Sequence, residues 1–202
     1  MSAALFYILV QSLVTGAVSL EEDVTDVSPQ ISYWIPGQDI TPELALKAYR
    51  ENRFNPATGK VPNLGFAEQS AWFAVDIIAP VEHAEYIANI GYAVLDSVQF
   101  WVVGDQGLEQ FQHAGDMQPF QNRAQAHRTI NFSVKPVANQ STTLLFKVDS
   151  NTSVSLGVKV YLPKRFGEHV AAENLIQGIY FGILLVMIIF NTFLFLSMKD
   201  KT

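Results

Sequence analysis

The sequence contains no cysteine. A disulfide scaffold, a thiolate metal site and a cysteine nucleophile are therefore excluded, although the compartment stays open because exported chains also fold without disulfides. Charge is scarce too: only 16% of the 202 residues are Asp, Glu, Lys or Arg, and 19 acidic residues outnumber 13 basic ones for a net charge of -6. A chain with this balance lacks the basic stripe that displaces counterions from phosphates, so a nucleic-acid partner is excluded. Low hydrophobicity, the condition for disorder, is absent, since 49% of the residues are hydrophobic. Catalytic signatures are missing as well. There is no Gly-x-Ser-x-Gly elbow, no His-Glu-x-x-His, no phosphate-binding glycine loop and no calcium loop. The histidines, His83, His113, His127 and His169, lie far apart in sequence, without local metal-ligand spacing. Asp76, Asp96, Asp105 and Asp116 read as turn and surface acids rather than as a glycosidase pair. No enzyme activity, metal or cofactor is expected.

What charge there is lies in the middle. Residues 1–20 carry no Asp, Glu, Lys, Arg or His, and neither do residues 174–198. The first apolar end holds Leu5-Phe6-Tyr7-Ile8-Leu9-Val10, then the small residues of Ala17-Val18-Ser19, then Glu21-Glu22-Asp23. This order predicts a signal peptide over 1–19; an uncleaved anchor and a buried core helix are the other readings of the same stretch. At the other end, the uncharged run Asn174–Met198 reaches roughly 37 Å as a helix, enough to cross the hydrocarbon core with some tilt. A membrane span is predicted over 172–198, with 199–202 as a cytoplasmic end carrying Lys199 and Lys201. Gly178 and Gly182, four apart on one face, either admit a partner helix or reflect ordinary membrane-helix composition.

Between these ends the pattern has period two, the mark of half-buried strands. Val154, Leu156, Val158 and Val160 alternate with Ser155, Gly157 and Lys159, and Ile130, Phe132 and Val134 with Asn131, Ser133 and Lys135. Eight strands are expected: 31–34, 70–78, 84–91, 95–103, 107–115, 128–134, 142–149 and 154–161. Gly104-Asp105-Gln106-Gly107 reads as a hairpin turn. One short N-terminal helix interrupts the strands, capped by Thr41, with Pro42 in its first turn and Asn55-Pro56 and Thr58-Gly59 ending it. Eight short strands with turns between them predict a mainly β body over 25–165, an eight-stranded antiparallel jelly-roll sandwich.

Two features suit binding. Trp72 and Trp101 are out of phase with the core alternation of their strands. Such aromatic faces either stack on a ligand or pack under the N-terminal helix or a loop. The loop 116–128 carries Arg123, His127 and Arg128. Its guanidinium groups either offer forked donors to a ligand or clamp the loop through Arg–Asp pairs, with Asp116 as one partner. Arg128 shares the phase of Ile130 and Phe132, which points it into a concave face or to its rim.

The order of landmarks resembles a known family. Tyr33-Trp34 precedes the capped helix; Asn63-Leu64-Gly65-Phe66 leads to Ser70-Ala71-Trp72-Phe73; Leu95-Asp96-Ser97-Val98-Gln99-Phe100 precedes a hairpin. Gly115-Asp116, Arg123 and Arg128-Thr129-Ile130-Asn131-Phe132 follow, then Gly178-Ile179-Tyr180-Phe181-Gly182-Ile183 and Phe190-Asn191. Over roughly residues 30–200 this is similar to the periplasmic sensor domain, type 2, of bacterial seven-transmembrane receptors with diverse intracellular signalling modules, together with the first helix of the receptor core. The resemblance implies a jelly roll like that of carbohydrate-binding modules, in the periplasm, anchored in the inner membrane with its C-terminus in the cytoplasm. It also implies a small ligand, a carbohydrate being one class, and a signal relayed through the membrane helix. Two departures stand out. Ala74 occupies a place where the family often has a basic residue, and one membrane helix is present where the family has seven, as in a fragment lacking the other helices and the output domain. The alternative is a membrane-tethered interaction module without a small-molecule ligand.

Overall fold

The computed structural model describes residues 16–66, 69–80, 85–104 and 107–199. Most of the expected leader, His83 and the Asp105-Gln106 tip of the expected hairpin lie outside the described residues. The chain divides into two compact units, 1–163 and 164–202.

The first unit is built of strands. In chain order they are β1 (Val18–Ser19), β2 (Val24–Asp26), β3 (Ser32–Trp34), β4 (Asn55–Pro56), β5 (Asn63–Phe66), β6 (Ala71–Ile78), β7 (Tyr86–Ile90), β8 (Ser97–Gly104), β9 (Gly107–Ala114), β10 (Ile130–Val134), β11 (Ser141–Asp149), β12 (Ser153–Ser155) and β13 (Val158–Tyr161). A seven-stranded sheet runs β4-β3-β6-β11-β8-β9, with β1 added in parallel to β6. A four-stranded sheet runs β10-β7-β13-β2, and β5 pairs with β12. Apart from β1, the ladders are antiparallel.

The two larger sheets face each other across one apolar core. Phe100 on β8 stacks on Phe132 of β10 with centroids 4.9 Å apart, and meets Phe146 of β11 at 4.8 Å. Each fully buried ring of this kind stabilises by about 1.5–3 kcal/mol, with about 0.5–1.5 kcal/mol more per aromatic pair. The open edges of the sheets are joined by a side chain. Gln112 of β9 donates its amide N–H to Ser133 O of β10 (2.6 Å) and accepts from Ser133 N–H (3.0 Å), standing in for a rung of ladder where β9 and β10 would otherwise be free edges.

The expected count of eight strands is corrected to thirteen among the described residues. Every expected strand has a counterpart, but 154–161 is two strands. Gly157 marks the break: a Cβ there would lie 3.3 Å from Val61, and the chain leaves β5 for β7 and β2 at this point. β1, β2, β4 and β5 are two to four residues long, too short to display alternation. The end of the expected leader is part of the sheet, because Val18 and Ser19 pair with Ile77 and Ile78 while Ala17 and Leu20 are buried.

Helix α1 (Pro42–Arg50) begins as its sequence dictates: Thr41 Oγ1 accepts from Leu44 N–H (3.4 Å), and Pro42 needs no hydrogen bond at the first position. Its end is earlier than Asn55-Pro56. Asn52 takes a positive φ of 57°, its N–H bonds Tyr49 O (2.9 Å) and Arg53 N–H bonds Ala48 O (3.0 Å), a Schellman closure. Asn55-Pro56 forms β4 instead, an edge position where proline's missing donor costs nothing.

The second unit is one helix, α2 (Pro163–Lys199), 37 residues long and so about 55 Å. It starts at a proline, nine residues before the expected span, and from Pro163 to Met198 it is long and apolar enough to cross a membrane. Arg165–Glu168 (2.8 Å) and His169–Glu173 (3.5 Å) pair before the uncharged run. Inside the run, Asn191 and Thr192 donate to the carbonyls of Met187 and Ile188, both at 2.8 Å, so each polar side chain has a partner within the helix. Nothing lies within 4 Å of a Cβ placed on Gly178 or Gly182.

Candidate functional site: a polar groove on the outer face of the large sheet

Strand register fixes what the outer face of the large sheet presents. One row reads Trp34–Trp72–Lys147–Gln99–His113 across β3, β6, β11, β8 and β9. The next reads Ser32–Ala74–Leu145–Trp101–Phe111. Helix α1 covers part of this face, and Ala45, Leu46 and Ala48 close a second apolar core with Trp72, Ala74, Trp101, Val103 and Leu145. This explains why β6 is apolar along both faces: one packs against the opposite sheet and the other under a helix.

Trp72 and Trp101 are brought together, stacked at 5.6 Å and 23°. Trp72 is 0% exposed and Trp101 7%, so in this arrangement neither ring has a face free for a ligand. The exposed member of the series is Phe111, tilted against Trp101 at 5.3 Å and 59% exposed. Sequence pattern alone did not single it out, because it falls on an edge strand with mixed burial.

Arg123, His127 and Arg128 form a second set on a different element. Arg123 Nη1 donates to His127 O (2.6 Å) and Arg128 O (2.8 Å), and its guanidinium lies 4.7 Å over the Phe120 ring. His127 is buried, with Nδ1 2.7 Å from Thr129 Oγ1, which donates to Asn89 Oδ1 (2.6 Å). Asn131, wholly buried, accepts from Gln125 N–H (2.6 Å) and donates to Gln125 O and Thr129 O (both 3.1 Å). Main-chain carbonyls thus serve as Arg123's acceptors. Arg128 precedes the start of β10, so the strand's phase does not apply to it, and it is exposed.

Next to the covered rows lies a groove of about 480 Å³, lined by the Gly37–Asp39 loop, Gln69-Ser70, Asp96-Ser97 and Asp149–Asn151. Ser70 Oγ donates to Asp149 Oδ1. Ser97, the register partner of Asp149, has its Oγ 2.9 Å from His113 Nε2. Asp96 Oδ2 accepts from Asn151 N–H (2.8 Å). The backbone here is tightly packed, because a Cβ on Gly115 would come 2.3 Å from Asp96 O.

At the groove's edge Lys147 Nζ meets Asp39 Oδ1 at 2.7 Å and lies 6.0 Å over the Trp72 ring. The Lys147 side chain is 13% exposed and that of Asp39 79%. The hydrogen bond from Lys147, then its charge, holds the Asp39 carboxyl below the usual carboxylate range. Among the described residues no three His, Asp or Glu side chains converge as a metal ion requires. The groove's chemistry is therefore that of hydrogen bonding: carboxylates and amides accept and donate, hydroxyls do both, and one ammonium stands behind Asp39. Sequence reasoning missed most of these residues. They come from four separate segments, so no local pattern brings them together.

The sequence profile of the family described as 7TMR-DISM extracellular 2 matches residues 28–162. The chain belongs to this family. 7TMR-DISM extracellular 2 is a family of receptor sensor domains, not of enzymes, and here the matched segment is followed directly by a helix able to span a membrane. The protein is thus a membrane protein with an extracytoplasmic domain. No curated protein matches. Among solved structures, a candidate beta-galactosidase from Bacteroides fragilis is similar with a TM-score of 0.40 and 10% identity, over 68% of this chain and 23% of that one. A Ruminococcus gnavus beta-glucuronidase is similar at 0.37 and 10%, over 69% and 28%. This chain spans about a quarter of each, and likeness at this level assigns no activity.

Proposed function

We propose that the β-rich unit is the ligand-sensing part of a bacterial receptor, a jelly-roll domain exposed in the periplasm and anchored by α2 in the inner membrane, with the C-terminus in the cytoplasm. The observation that carries this reading is the family match over 28–162, ending where the apolar helix begins. The ligand is a small polar molecule, of which a carbohydrate is one class. The groove beside Lys147 supports that assignment because its hydrogen-bonding side chains converge on an open space of suitable size. Phe111 extends the same sheet face with exposed aromatic surface, while Trp72 and Trp101 enter only if α1 moves. Arg123, His127 and Arg128 shape the loop beyond β9. Ligand binding shifts the populations of two arrangements of the domain, and the end of β13, one residue from Pro163, is where that shift is passed on.

The test is a thermal-shift screen of the full chain in detergent against glycans, organic acids, amino acids and nucleotides. Stabilisation by one class supports sensing; no stabilisation by any of them counts against it.

A further inference from the structure

The groove's ion pair narrows the ligand's chemistry, on the premise that this groove is the sensing site. Lys147 stands on a central strand with its side chain almost wholly covered, so its ammonium needs an anion beside it. The anion it has, Asp39, comes from a loop and is itself largely exposed. The two partners are unequal: the sheet fixes the cation, whereas the loop can withdraw the carboxylate into water at small cost. A second carboxylate arriving at Lys147 would restore the same pair without further desolvation of the ammonium. The remaining groove charges select what else that arrival must carry. Asp149 and Asp96 hold single hydrogen bonds, from Ser70 and from Asn151 N–H, and neither is ion-paired among the described residues. Each retains acceptor capacity. A plain anion would be repelled by both, and a plain cation would find no use for Lys147. A molecule with a carboxylate and an ammonium on one compact frame satisfies both ends.

We propose that Asp39 holds the place of a ligand carboxylate, and that the groove receives a small zwitterion, the simplest being an α-amino acid. Its carboxylate displaces Asp39 from Lys147, and its ammonium is bound by Asp149 and Asp96.

Calorimetric titration of the full chain in detergent with the twenty standard L-amino acids tests this. At least one binds, and its methyl ester and its deaminated hydroxy acid each bind at least tenfold more weakly. Lys147→Met keeps the packing of the stem and loses at least tenfold, whereas Lys147→Arg retains binding. Asp39→Asn removes the competitor and tightens binding about threefold or more. Unfolding midpoints of the variants confirm that they fold. Binding unchanged in Lys147→Met, or weakened in Asp39→Asn, overturns the proposal. Amino acids failing while neutral glycans bind overturns the zwitterion and leaves the sensor reading standing; failure of every class sinks both.

Discussion

Asp76 ties helix α1 to the sheet, and removing it should loosen the cover over Trp72 and Trp101. Its carboxylate accepts from Thr143 Oγ1 of β11 at 2.6 Å, and its charge acts on the buried Tyr49 hydroxyl of α1. A hydrogen bond to a charged acceptor contributes about 1.5–3 kcal/mol. Asp76→Ala loses that bond and strands the Thr143 hydroxyl, for a cost of about 2–4 kcal/mol, whereas Tyr49→Phe keeps the packed ring and costs about 1 kcal/mol. In a unit of this size each kcal/mol lowers the midpoint by about 3 °C, so shifts of about 6–12 °C and about 3 °C are expected. The double variant should depart from the sum, because the two side chains act on one another. Thermal unfolding of the full chain followed by tryptophan fluorescence is the assay, since Trp72 and Trp101 lie beneath α1. Alkaline pH provides an independent reading. Burial first, then the charge of Asp76, raises the Tyr49 pKa above its ordinary value of 10.0. The folded state then keeps a proton that the unfolded chain releases, so stability is full below about pH 10 and declines as pH rises, by up to about 1.4 kcal/mol per unit. Burial pushes Tyr86 up to about 12, with the same sign. Tyr49→Phe should remove its own share of the slope and leave that of Tyr86. Additive variants, or an alkaline slope unchanged in Tyr49→Phe, would refute the linkage.

Gly115→Ala should destabilise by about 3 kcal/mol or more, because its Cβ meets the Asp96 carbonyl at 2.3 Å and backbone cannot yield cheaply; a denaturation midpoint within experimental error of the parent would disprove this. Gln112→Ala should cost about 1–2 kcal/mol and, by freeing two sheet edges, raise the tendency to associate, as light scattering of the detergent-solubilised chain would reveal. Asn131→Ala, which removes three buried hydrogen bonds, should open loop 116–128 to limited proteolysis while α1 stays protected; a cut elsewhere first would contradict the local role.

What the sequence made legible was phase, and what it hid was partnership. Alternation at Ile130, Phe132 and Val134 located β10 because one of its faces meets the core and the other does not. On β6 the same reasoning identified Phe73, Val75 and Ile77 as inward, and correctly set Trp72 on the opposite face. Period two cannot say whether that opposite face meets water, a ligand or a helix, and α1 decided it: its alanines bring the helix close enough to cover both indoles. Thr41 and Pro42 gave the helix start because a cap is local chemistry, while its end depended on Asn52 adopting a left-handed turn that no apolar pattern encodes. The groove was the least legible part for a related reason. Asp39, Ser70, Asp96 and Asp149 are unremarkable turn and strand-end residues in their own segments, and they become a site only when β3, β6, β8 and β11 stand side by side in an order that the sequence does not follow. Lys147, on the outer face between the core residues Phe146 and Val148, keeps its side chain largely covered and meets Asp39. An ammonium so covered needs a counter-charge, which Asp39 supplies from a loop distant in sequence, whereas an aromatic ring on the same face serves packing with no such demand.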